Sequence, residues 1–210
     1  MRKIGIFGGS FDPIHFGHLR PALEILEALS LDSMHFIPSG QPPHRGAPAA
    51  SAEMRLAMLK AAVAGEPRFQ VDEREIRRAT PSYTFDTLKA LRHEHGHDRL
   101  VLVLGLDAFL GFSGWHRWKE ILDLAHLVVA HRPGWSLQTG GELAMLLQER
   151  QVGDAPAMMQ HAAGKLMLQA VTQLEISSSL IRETAARGGD LRFLVPDPVR
   201  ALIQDSHCYA

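Results

Sequence analysis

The sequence predicts an α/β protein with a doubly wound, mainly parallel sheet and helices on both of its faces. Short apolar or β-branched runs alternate with helical patterns, the order that βαβ units require. Leu100–Gly105 is apolar throughout, as expected of a strand in the middle of a sheet covered on both sides. The 210 residues are 46% hydrophobic and 21% charged, enough to bury a sizeable core. That length allows one large domain or two small ones; the reading is a single domain over 1–210, with C-terminal helices from about 178 to 210 packed on it.

The elements follow in order. Lys3–Phe7 is apolar enough for a first strand, and Gly8-Gly9 ends the run. Leu19, Leu23, Leu26 and Leu29 form one stripe of a helix over 16–29, with Pro21 near its start, where a missing N–H costs least. Met34–Pro38 predicts a second strand. A Pro- and Gly-rich loop over 39–50 leads into a helix over 51–64, and Phe69–Asp72 predicts a third strand. A helix over 82–95 is stopped by Gly96, before the apolar strand 100–105. Ala125–His131 is a further strand, closed by Pro133-Gly134. Within 135–164 only 142–150 reads as helix. Short strands are expected at 165–169 and 173–176, then closing helices at 178–187 and 198–206.

Composition narrows the function. A formal charge of −1 disfavours a broad electrostatic grip on nucleic acid or anionic lipid. The single cysteine, Cys208, allows no intrachain disulfide and fits a reducing compartment. The apolar start is too short for a signal peptide, and the stretch 100–112 is too short to span a membrane and carries Asp107. A cytoplasmic protein is expected. Twelve histidines are the one unusual entry.

The first strand–loop–helix turn holds the most informative pattern. It reads Gly8-Gly9-Ser10-Phe11-Asp12-Pro13-Ile14-His15-Phe16-Gly17-His18. Neither the dinucleotide fingerprint nor a P-loop occurs in the chain. A helix start nevertheless offers unpaired N–H groups and the positive end of a dipole to phosphate. His15 and His18, three apart, face one side of that helix. Far downstream, Ile176-Ser177-Ser178-Ser179-Leu180-Ile181-Arg182 places serines at another helix start, able to cap it or to donate to phosphate. Arg182 adds a fork for phosphate oxygens.

The first of these segments resembles the G-x-F-x-P-x-H-x-G-H signature of the nucleotidyltransferase superfamily, matched at Gly9, Phe11, Pro13, His15, Gly17 and His18. The second is similar to the superfamily's I-S-S-T-x-x-R motif, with Ser179 in place of threonine. Between them, Pro42-Pro43-His44-Arg45 resembles the P-P-H-[KR] loop of bacterial nicotinate-nucleotide adenylyltransferases. Pro81–Leu88 is similar to that family's S-Y-T-x-x-T-L segment, Gly105-Leu106-Asp107 with Trp115 to its G-x-D…W, and Arg132-Pro133-Gly134 to its R-P-G. The resemblance runs from the first strand to the last helix and is weakest over 135–164. It implies a Rossmann-like fold and adenylyl transfer from ATP to nicotinate mononucleotide, giving deamido-NAD and pyrophosphate.

The resemblance also implies roles. Gly8, Gly9, Ser10, Phe11, His15, His18, His44, Arg45 and Asp107 would hold ATP, together with Ile176, Ser177, Ser178, Ser179 and Arg182. Asp107 would accept from ribose hydroxyls. Ser10, Phe11, Thr84, Trp115, His116 and Arg132 would hold the mononucleotide, with Trp115 stacked on the pyridine ring. Backbone N–H groups near Thr84 and Trp115-His116 would receive the nicotinate carboxylate and disfavour an amide. The mononucleotide's phosphate is already an anionic nucleophile, so no general base is needed. Catalysis is then positioning and charge stabilisation by His15, His18 and Arg182, with histidine able to carry a proton beside phosphate. Mg²⁺ is expected with ATP, bound through phosphate oxygens and water, with no dedicated protein metal site.

Three rival readings compete with this one. His93-Glu94-His95-Gly96-His97 formally matches H-E-x-x-H, yet Gly96 stands where an uninterrupted helix is needed, so a solvated helix end is the better account. The pantetheine-phosphate or cytidylyl branch is opposed by the segments 42–45 and 82–88. A nucleotide-sensing module without turnover conflicts with the intact His15, His18 and Arg182 set.

Overall fold

We describe the protein from a computed structural model, over residues 1–41, 46–134 and 139–210. In order it comprises β1 (Lys3–Gly9), α1 (Phe16–Ala28), β2 (Ser33–Pro38), α2 (Ala52–Val63), β3 (Phe69–Val71), α3 (Arg74–Arg77), α4 (Thr84–His95) and β4 (Arg99–Gly105). Then come α5 (Leu106–Leu110), a 3₁₀ turn (Phe112–Gly114), α6 (Trp118–Leu124), β5 (His126–His131), α7 (Gly141–Arg150) and α8 (Ala155–Met159). β6 (Leu166–Ala170), α9 (Ser178–Ala186) and α10 (Asp197–Ser206) complete the order.

Among the described residues, six strands form one sheet in the order β3-β2-β1-β4-β5-β6, and every pairing between them is parallel. This is the doubly wound Rossmann-like arrangement. Alternation along each strand divides the core between the two faces. Leu100, Leu102 and Leu104 of β4 join Leu127 and Val129 of β5 against α4, α5 and α6. Val101, Val103, Val128 and Ala130 turn the other way, toward α1, α2, α9 and α10. The C-terminal segment therefore shares a core with the first helices, to which it contributes Val199, Ile203 and Tyr209.

Two differences from the expected elements have physical causes. No strand forms at 173–176: Ile176 N–H donates to the Leu174 carbonyl at 2.8 Å, a tight turn that an extended ladder does not allow. The helix expected from residue 82 begins at Thr84, because the Ser82 hydroxyl is engaged with the Gly40 N–H at 3.0 Å.

The sheet itself opens the crevice. β1 runs to Gly9 and β4 to Gly105, yet they pair only from Lys3↔Arg99 to Ile6↔Leu102. Beyond that point β1 stays with β2 as far as Gly9↔Pro38, and β4 stays with β5 as far as Gly105↔Ala130. The two strands part at the position where the strand order reverses, which is where open α/β sheets take their ligands.

Candidate active site

Both loops that border this crevice carry residues singled out in the sequence. Gly8 and Gly9 end β1, and Ser10 and Phe11 follow; Phe11 is buried with φ +46°. His15 is the N-cap of α1, in extended conformation and without a side-chain capping bond. Its ring lies 3.8 Å from that of His18, tilted by 31°. Phe11 and Phe7 meet His18 edge-on at 5.3 and 6.2 Å. The two imidazoles thus form a packed pair at the positive end of a helix, a suitable setting for phosphate oxygens.

Gly17 makes the pair possible. A Cβ there would lie 2.9 Å from both Cε1 and Nδ1 of His15, and 3.0 Å from the Ile176 carbonyl oxygen. The close approach brings the second motif against the first.

That motif opens α9. Ser177 is its N-cap and accepts from the Leu180 N–H at 3.1 Å. Ser178 donates to the Pro13 carbonyl at 3.0 Å. Arg182 donates through Nη1 to the Asp12 carbonyl at 2.7 Å and through Nη2 to Ser179 Oγ at 3.2 Å. Its Nη1 also lies 3.9 Å from the Asp12 carboxylate. Residues 170 positions apart in sequence are joined here by a direct hydrogen bond. Ile176 is half-buried beside Gly17.

Burial holds His15 at a pKa of about 4, against an ordinary 6.5. The motif alone allowed a protonated imidazole beside phosphate; before ligand arrives, desolvation makes the neutral form the stable one. A neutral ring still donates one N–H, and an arriving polyanion pulls the pKa upward.

The remaining residues singled out in the sequence, where they are described, lie along the same edge of the sheet, at the C-terminal ends of the strands or in the segments following them. Asp107 is exposed in the first turn of α5, directly after β4. Thr84 is the first residue of α4, whose N-cap Tyr83 makes no side-chain capping bond. His116 lies on Tyr83 with ring centroids 4.4 Å apart. Trp115 is half-buried and meets Phe112 at 5.5 Å, so one part of its indole is packed and the rest is accessible. Arg132, just past β5, is exposed and pairs with Glu175 at 2.7 Å and Gln173 at 3.1 Å. His44 and Arg45 lie outside the described residues.

Sequence reasoning passed over three residues that hold this turn in place. The Asp12 carboxylate accepts from the N–H groups of Ala49 and Ala50 at 2.7 and 3.1 Å and from the Tyr209 hydroxyl at 2.7 Å. Arg55, 1% exposed, donates to the Ser10 and Ser39 carbonyls at 2.7 and 2.8 Å. Burial lowers the Arg55 pKa, and the Asp12 charge opposes that shift. One signal was visible for Arg55: it shares the buried stripe of α2 with Met58 and Leu59, three and four residues on. Asp12 and Tyr209 gave no such signal, since their partners are remote in sequence.

The H-E-x-x-H match dissolves in three dimensions. α4 ends at His95, and Gly96 follows at φ +52°, so His97 lies beyond the helix. Glu94 is held by Arg74 at 2.8 Å. His95 is only half-exposed, with its ring 6.1 Å from that of His35, and to that extent the histidine cluster is not all surface.

Comparison with known proteins shows the family and the fold. Residues 6–184 match the cytidylyltransferase-like family. A probable nicotinate-nucleotide adenylyltransferase of Pseudomonas putida (strain W619) is 47% identical over 210 residues, covering all of this chain and 95% of the relative. One from Marinobacter nauticus is 49% identical over 195 residues, covering 92% of this chain and 90% of the relative. Among solved structures, the nicotinic acid mononucleotide adenylyltransferase of Plasmodium falciparum complexed with NaAD superposes with a TM-score of 0.76 at 16% identity, covering 100% and 98% of the two chains. At that identity the likeness speaks for the fold. With the fold, the crevice and full-length relatives in agreement, the chain belongs to the cytidylyltransferase-like family and, within it, to the nicotinate-nucleotide adenylyltransferases.

Proposed function

We propose that this chain transfers the adenylyl group of ATP to nicotinate mononucleotide, releasing pyrophosphate and forming deamido-NAD, in the cytoplasm. The observation that supports the reading is the direct bond from Arg182 Nη1 to the Asp12 carbonyl, which joins the two sequence motifs beside the start of α1. The relatives are named for this activity. The lone Cys208 suits a reducing compartment.

In this reading a phosphate oxygen of the mononucleotide attacks the α-phosphorus of ATP. A new P–O bond forms as the bond to the bridging oxygen of the β-phosphate breaks, and the electron pair leaves with pyrophosphate. His15 and His18 hold oxygens of the α- and β-phosphates, and the start of α9 with Arg182 holds the departing end. Their contribution grows as negative charge shifts toward the leaving group. Asp107 holds the adenosine ribose. Thr84, Trp115 and His116 hold the nicotinate, with Trp115 stacked on its ring and backbone N–H groups on its carboxylate. Ser10, Phe11 and Arg132 complete the mononucleotide side. His44 and Arg45 belong to the triphosphate side in this reading.

Mg²⁺ enters as part of the nucleotide. The donors around His15 and His18 are imidazoles, N–H groups and a guanidinium, and the carboxylate of that turn, Asp12, is occupied by Ala49, Ala50 and Tyr209. That donor set fits a metal bound through phosphate oxygens and water rather than one caged by protein. When bound, the ion neutralises charge on those oxygens.

Incubation with ATP, Mg²⁺ and nicotinate mononucleotide, followed by mass analysis, should yield deamido-NAD in amounts equal to the pyrophosphate released. Hydrolysis of ATP without a dinucleotide product would refute the transfer.

A further inference from the structure

Three separate pieces of chain meet at the start of α1: the turn after β1, residues 46–50 ahead of α2, and the start of α9. Every one of them is fastened to Asp12. Its Oδ2 accepts from the Ala49 N–H at 2.7 Å and lies 3.9 Å from Arg182 Nη1. Its Oδ1 accepts from the Ala50 N–H at 3.1 Å and from the Tyr209 hydroxyl at 2.7 Å. Its backbone carbonyl accepts from Arg182 Nη1 at 2.7 Å. Asp12 and Tyr209 are 4% and 7% exposed, and the Asp12 charge also bears on the buried Arg55 guanidinium.

Tyr209 is the unexpected member. It lies well beyond Thr184, where the match to the family ends, and it follows α10 rather than any phosphate-binding segment. Its ring belongs to the core shared by α1, α2 and α10. Packing alone would be met by phenylalanine. The hydroxyl adds one thing: a short bond to a carboxylate oxygen that also fixes the Ala50 N–H.

We propose that Asp12 and Tyr209 act as a positioning pair that holds Arg182 and the 46–50 loop in register with the His15–His18 turn, so that the C-terminal segment sets the geometry of the triphosphate site. Neither residue touches the reacting atoms. The inference rests on the reading of this crevice as the ATP site. Losing the hydroxyl frees the Asp12 carboxylate to turn away from Ala50 and from the charge of Arg182, which keeps its bond to the Asp12 backbone carbonyl but loses the carboxylate that fixes its approach. A carboxylate with a full set of donors holds its position; one that lacks a donor is released to find another.

Tyr209→Phe decides the matter, because it keeps the packed ring. ATP binding by calorimetry, with Mg²⁺ and no acceptor, should weaken roughly tenfold, the loss expected for a hydrogen bond to a charged group. In turnover, KM for ATP should rise by about the same factor while KM for the mononucleotide changes less than about twofold. Asp12→Asn, which removes the charge but keeps one acceptor oxygen, should weaken ATP binding further, and adding Tyr209→Phe to it should cost less than the same change costs in the wild-type protein, since the hydroxyl then loses only a neutral acceptor. Unaltered ATP binding in a folded Tyr209→Phe protein would overturn the proposal. So would equal rises in both KM values, which would indicate general loosening. If Asp12→Asn does not fold, Tyr209→Phe alone carries the test. Wild-type protein that binds ATP but makes no deamido-NAD would refute the proposed reaction and leave the calorimetric test of the pair intact.

Discussion

His15 and His18 show how far a residue's surroundings redirect its chemistry. Two imidazoles at a helix start are ordinary; here Gly17 permits them to pack 3.8 Å apart, and burial keeps His15 neutral down to a pKa of about 4. His18→Ala should lower kcat by about a hundredfold and raise KM for ATP no more than a few-fold, because the contact strengthens as charge develops. Steady-state kinetics check this, and unchanged kcat would remove His18 from the mechanism. Trp115→Ala should act on the other substrate. Loss of a stacking partner for the cationic ring, about 0.5–2 kcal/mol, predicts a rise of roughly two- to thirty-fold in KM for the mononucleotide. A change confined to KM for ATP would show that the indole does not stack there. The pairing of His15 and His18 at a helix start was legible from sequence because a short motif carries both. Asp12 lay inside the same motif but showed no role until its partners at 49, 50 and 209 were in view.

At the scale of elements, the close contact between α1 and the segment leading into α9 is the feature most open to test. Gly17→Ala places a methyl group 2.9 Å from the His15 ring and 3.0 Å from a backbone oxygen that cannot rotate away. We expect a stability loss of about 1–3 kcal/mol in chemical denaturation and a fall in kcat/KM of more than about tenfold at temperatures where the variant is fully folded. Full activity would mean that the two motifs need not touch. The inner strands were legible because buried parallel strands are compact apolar runs; β4 is the plainest case. α3, α5, α6 and α8 were not, since four to seven residues span too little of the helical period to show a stripe. The apparent strand at 173–176 failed for a related reason: a few residues of mixed polarity do not distinguish an extended segment from the tight turn that Ile176 makes. α7, over Gly141–Arg150, lies where the one helix within 135–164 was expected.

Across the whole molecule, three buried histidines link stability to pH. His15, His35 and His126 are each pushed from 6.5 to about 4, chiefly by desolvation. His126, wholly buried, accepts from the Lys165 N–H at 3.2 Å through Nδ1, which leaves Nε2 to donate to the His161 carbonyl at 3.1 Å. Only a neutral ring can do both. The unfolded chain takes up these protons near pH 6.5 and the folded chain near pH 4, so between those values the unfolded state binds more protons. Stability from these groups is therefore complete above about pH 6.5 and falls as the pH drops toward 4. The loss is on the order of several kcal/mol in total. Urea midpoints measured at intervals from about pH 7.5 to about pH 4.5 should fall steadily, and a flat profile would contradict the burial of these rings. Near-neutral net charge agrees with the same picture, since ATP and a mononucleotide call for a local group of donors rather than a basic face.

Everything assigned to the mononucleotide side turns on which acceptor the crevice takes. The decisive measurement is the initial rate of pyrophosphate release, with ATP and Mg²⁺ present and either nicotinate or nicotinamide mononucleotide supplied. Release should be rapid with nicotinate mononucleotide, and kcat/KM at least about tenfold lower with the amide, whose NH₂ would face backbone donors. Equal rates, or a preference for nicotinamide mononucleotide, would show that the crevice does not select the carboxylate.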